Sequence, residues 1–152
     1  VDIAVDLEPT VSIAEDKGYK VVFDFEKYNT QQEAVTGIMT TEDTIKNKPE
    51  TVQKVVSALQ ESLTLMHKDD KVSTRVAKKL FPDLKENVIK AAVKRMLEKS
   101  MYPTSVVVKD VYWQNSIKSR IDSGGLKKPQ ATDVAVDNSF ALKAEKETGV
   151  AK

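Results

Sequence analysis

The sequence predicts an α/β chain, with a few parallel strands at its amino-terminal end and four amphipathic helices behind them. Three observations predict it. Val1, Ile3, Val5 and Leu7 alternate with Asp2, Ala4 and Asp6, the period of two expected of a strand with one buried face. Tyr19 to Phe25, YKVVFDF, is β-branched and aromatic and reads as a second strand. From Pro49 onward, apolar residues recur at steps of three and four, the spacing of helices that bury one stripe.

The first strand stops at Glu8-Pro9. Proline is tolerated in a first helical turn, so a short helix is expected from Pro9 to Lys17, with Gly18 placed to take the left-handed stop. Strand, helix and strand in succession make a βαβ unit, which implies a parallel pair and a right-handed crossover. Val35 to Thr40 (VTGIMT) and Thr104 to Val108 (TSVVV) are two further short strand candidates. The clearest helix opens at Pro49, and Val52, Val55, Val56, Leu59, Leu63 and Met66 form its stripe as far as His67. A second follows Asp70, a candidate cap, with Val72, Val76 and Leu80 on one face and Phe81-Pro82 as its stop. Asp83 is placed to cap a third, striped by Leu84, Val88, Ala92 and Met96. A fourth carries Val108, Tyr112, Trp113, Ile117 and Ile121 and stops at Gly124-Gly125. From Lys127 the chain is polar and irregular, apart from Val134, Val136 and Phe140, and it frays through KAEKETGVAK. Striped helices with too few strands to cover imply a sheet completed by residues outside this sequence.

Composition narrows the function. A chain of 152 residues, 40% hydrophobic and 31% charged, has the make-up of a globular protein. Lys and Arg number 24 against 23 Asp and Glu, a net charge of +1, and no cationic run is long enough to follow a phosphate backbone. Nucleic acid is therefore not an expected partner. The absence of Cys excludes disulfides, thiolate zinc sites and a cysteine nucleophile. His67 is the sole histidine, without a matching second ligand, and Asp69, Asp70 and Asp83 fall where helix caps are expected, so neither metal nor cofactor is expected. No apolar run has the length of a membrane span.

The order of pieces resembles a known family. The strand VDIAV closing on EP, then GYKVV, VTGIMTT, KPETVQKVVSALQESL, a helix ending at FPD, VYWQNSIKSRIDSGGLKKP and VDNSFA are similar to the second half of ABC-transporter substrate-binding proteins of the nitrate, sulfonate, taurine and thiamine-pyrimidine-precursor type. The resemblance covers roughly Val1 to Ala141. It implies part of a two-lobe periplasmic-binding-protein type 2 fold: residues 1–28 as a remnant of the distal lobe, 29–41 as a hinge crossover, 42–141 as the helical part of the proximal lobe, and 142–152 as a frayed tail. It also implies an extracytoplasmic receptor that delivers a small organic solute to an ABC permease, with the other half of the protein and its leader lying upstream. Such a piece is expected to self-associate through apolar surface that its missing strands would cover.

In that family the turn after the first strand faces the ligand cleft. Free N–H groups at a helix start favour an anion such as a sulfonate or nitrate. Glu8 repels anions and accepts from an amino or imino group, which points to a solute with a donor, such as an amino-heterocycle; the alternative is that Glu8 satisfies its own helix start. Thr10 adds a hydroxyl at the same mouth. Asn29 lines the cleft or makes a turn, and Gly37 marks a hinge or a bulge. Tyr112 and Trp113 have the spacing of helix packing rather than of a ligand shelf. Two other classes compete with the receptor. An enzyme related to the pyrimidine-making enzyme of thiamine synthesis would use a cysteine-rich segment and histidines; with no Cys and one His here, no enzymatic activity is expected. A standalone helical interaction module would show an exposed apolar groove.

Overall fold

A computed structural model describes residues 1–28, 31–99 and 101–150. Its regular elements are helical: α1 (Thr10–Asp16), α2 (Glu42–Asn47), α3 (Pro49–Lys68), α4 (Asp70–Leu80), α5 (Glu86–Glu98), α6 (Asp110–Asp122), α7 (Thr132–Ala135) and α8 (Ser139–Thr148), with one 3-10 turn over Phe25–Lys27. The predicted α/β class is therefore corrected. Among the described residues no strand forms, so neither the βαβ unit nor the parallel sheet of a periplasmic-binding-protein fold is present.

The physical reason can be read from the backbone partners. A strand exists only where its N–H and C=O groups meet another strand. Val1 to Leu7 keeps its alternation, yet Ile3 is 75% exposed and Leu7 73% exposed, with no ladder beside them. In the 31–40 segment, polar side chains of α6 take the backbone instead: Asn115 Nδ2 donates to the Gln32 carbonyl at 2.9 Å and Ser116 Oγ to the Ala34 carbonyl at 3.1 Å. At 104–108 two amide side chains do the same. Gln60 Oε1 accepts from Val106 N–H at 2.9 Å, while Asn138 accepts from Val108 N–H at 3.0 Å and donates to its carbonyl at 2.8 Å.

The helices fall largely where their stripes and stops place them. Gly18 (φ 91°) ends α1 in a Schellman turn, with Gly18 N–H on the Glu15 carbonyl and Tyr19 N–H on the Ala14 carbonyl. Gly124 (φ 76°) ends α6 in the same way. Pro49 opens α3. The cap of α4 is Asp69, whose carboxylate accepts from Lys71 N–H at 3.0 Å, and Asp70 is the first helical residue. Asp83 does not cap α5; Lys85 occupies that position in extended conformation, and its side chain makes no bond to the helix start. Three helices, α2, the single turn α7 and α8, lie where the sequence shows no stripe. Thr41 caps α2, accepting from Thr44 N–H at 3.1 Å, and α8 buries the small pair Ala141 and Ala144.

Contacts divide the chain into two compact units. The first is built from residues 1–25 and 62–104. In it α5 packs on both α1 and α4, burying Val88, Ile89 and Ala92. The second is built from residues 26–61 and 105–150, with Ile117, Ala141 and Ala144 in its core. Gln60 is fully buried there and also donates to the Gly149 carbonyl at 3.2 Å, so its amide is satisfied at both ends.

Candidate functional site

The mouth of α1, in the first unit, holds two of the residues singled out from the sequence. Glu8 lies just before the helix, and the Glu8–Pro9 peptide is cis. Its side chain is 2% exposed. One carboxylate oxygen accepts from Ser12 N–H at 3.2 Å, satisfying one of the free donors of the helix start, and the other pairs with Arg95 of α5. Arg95 reaches Glu8 with one guanidinium nitrogen and Glu15 with the other. Glu15 foremost, and Glu8 after it, hold the guanidinium above its usual pKa, while burial opposes them. A planar fork is what lets one side chain serve two carboxylates.

This pairing belongs to a longer polar seam between the front segment and α5. Lys85 Nζ lies 2.7 Å from Asp16, Asn87 Nδ2 donates to the same carboxylate at 2.7 Å, and Lys99 pairs with Asp24. Hydrogen bonds from Lys85 and then Asn87 keep the Asp16 carboxyl below its usual range. Acids thus come from the front segment and their partners from α5 and the residues that flank it. Ser12 is buried, and its Oγ has no hydrogen-bond partner among the described residues.

Glu8 therefore serves its own helix start and anchors Arg95. With the carboxylate so enclosed, a solute donor reaches it only if the side chain turns outward. Thr10, the first residue of α1, is exposed at the same mouth. Asn29 lies outside the described residues. Gly37 is exposed in the irregular segment before α2; its φ is not left-handed and an added Cβ would meet nothing within 4 Å. The structure thus brings Glu8 and Thr10 together and leaves Gly37 in the other unit.

Sequence reasoning missed Arg95. Its signal was available: an Arg three residues past buried Ala92, at the edge of the α5 stripe, where a guanidinium suits a partly buried ion pair better than an ammonium does. The other distinctive residues are structural. Trp113 Nε1 donates to the Gln130 carbonyl at 3.1 Å, and His67 Nε2 donates to the Pro103 carbonyl at 3.1 Å. Among the described residues no group of three or more His, Cys, Asp or Glu could hold a metal ion, and no helix is long and apolar enough to cross a membrane. No protein-family model, no curated protein and no solved structure matches the chain.

Proposed function

We propose that the chain acts in an extracytoplasmic solute-binding receptor that hands a small organic solute to an ABC importer, without catalysing a reaction. The observation that supports it most is the helix series: α1 after Glu8-Pro9 with its stop at Gly18, α3 opening at Pro49, α4 closing before Phe81-Pro82, α5, and α6 closing at Gly124-Gly125. That order matches the helical part of the receptor resemblance. The missing ladder removes the sheet from the support, and the proposal stands on the helices and on the α1 mouth. Solutes in question are sulfonates, nitrate-like anions and amino-heterocycles, with Thr10 and Asn29 as contacts, Glu8 joining them only where its side chain turns outward, and Gly37 as a hinge.

Calorimetric titration of the native gene product with these three classes tests the proposal. It predicts saturable one-to-one binding of one class at micromolar affinity or tighter, on the order of 8 kcal/mol. A folded, helical product that binds none of the three contradicts it. A second reading, a helical interaction module, is favoured by apolar side chains on the irregular segments, such as Val22, Val35 and Met39, which are exposed. A protein partner that protects those segments from exchange, with no solute bound, would select it.

A further inference from the structure

Ten of the 24 Lys and Arg residues fall between Lys68 and Lys99, within the first unit. On α4, Lys71, Arg75, Lys78 and Lys79 recur at steps of four, three and one, which puts them on one face. Lys90 and Lys94 of α5 face them across an open depression of about 710 Å³, which Thr74 and Val93 also line. Three acids lie nearby. Glu86 is shared by Lys78 at 2.5 Å and Lys90 at 2.9 Å, Glu98 lies 3.7 Å from Lys94, and Asp70 sits at one end of the depression. Six cations against three acids leave +3 on this groove, where the entire chain carries +1. Lys71, Arg75 and Lys79 are exposed and have no ion pair among the described residues.

The geometry points to a docking groove for an extended acidic segment of a partner protein, bound through Lys71, Arg75 and Lys79. Along α4 these cations span about 12 Å at 1.5 Å per residue. About four residues of extended peptide cover that length, enough to carry three carboxylates to three unpaired cations. A compact phosphate is a poorer match. The N–H of Lys71 at the start of α4 is already taken by Asp69, so it adds nothing to an amide cradle of the kind that phosphate sites use. A flat lipid surface would meet the rim of the groove and leave its interior unfilled. The inference does not depend on the receptor proposal, since it involves neither Glu8 nor a solute.

Fluorescence titration of the 152-residue chain with a labelled oligoglutamate peptide tests it. Saturable binding is expected, weakened about tenfold between low and physiological ionic strength. Arg75→Glu and Lys79→Glu should each weaken it about tenfold, while Lys54→Glu on α3 leaves it unchanged. Lys79→Gln is the milder variant should a charge reversal lower the helical signal, and a several-fold loss is expected from it. Equal affinity across all variants, or no binding at low salt, would overturn the proposal. So would binding to phosphatidylserine vesicles or to tripolyphosphate in preference to the peptide.

Discussion

Arg95 shows how much of the first unit depends on one side chain. Removing it leaves Glu8 enclosed without its counter-charge, the costly half of a broken ion pair. Arg95→Ala should lower stability by about 3 kcal/mol in urea unfolding, the low end for a broken buried pair because Arg95 itself keeps some solvent contact. Arg95→Lys should recover only part of this, since a single ammonium nitrogen does not span Glu8 and Glu15 as the two ends of the guanidinium fork do. Glu86 supplies a pH signature. Hydrogen bonds from Lys78 and then Lys90 bring its carboxyl down from 4.5 to about 2. A folded-state value below the unfolded one stabilises fully above pH 4.5, and that contribution is lost as pH falls toward about 2. Acid unfolding of Glu86→Gln should therefore be less steep in that window. At this scale Glu8 was legible because a carboxylate before a proline and a helix is a local pattern. Its partner was not, because Arg95 lies 87 residues away.

For the elements, legibility followed whether a signal is complete within the segment that carries it. Helices satisfy their own backbones, so stripe and stop sufficed for α1, α3, α4 and α6. Strands do not. The alternation from Val1 to Leu7 states which side chains share a face and nothing about whether a partner strand is present. At 104–108 the decisive groups were Gln60 and Asn138, whose amides took the backbone bonds a neighbouring strand would have taken. The α8 helix was illegible for another reason: its buried face is alanine, too small to stand out as a stripe. Two predictions belong here. Ile89→Ala, in the buried face of α5, should cost about 2–4 kcal/mol in urea unfolding. Gly124→Ala should cost about 1 kcal/mol, because φ there is 76°, whereas Gly37→Ala should leave stability unchanged. That neutrality makes Gly37→Ala a usable probe of hinge action through solute affinity.

Across the whole molecule, the dominant feature is apolar surface on irregular segments. Ile3, Val5 and Leu7, then Tyr19, Val22 and Phe23, then Val35, Ile38 and Met39 are all exposed. Contiguous exposed apolar surface of this kind drives association between copies of a chain. Sedimentation velocity should show a concentration-dependent increase in mass, and Ile3→Asp with Val5→Asp should reduce it; a monomer at every concentration would contradict this. The sequence stripe from Val1 to Leu7 was legible as a surface that wants cover, although the source of that cover was not.

The receptor proposal is tested most directly on the protein made from its native gene, by its cellular compartment, intact mass and amino-terminal residue. The account predicts a product recovered outside the cytoplasm, whose processed amino terminus lies upstream of Val1. A native product that begins at Val1, or one Met before it, and stays in the cytoplasm would contradict it.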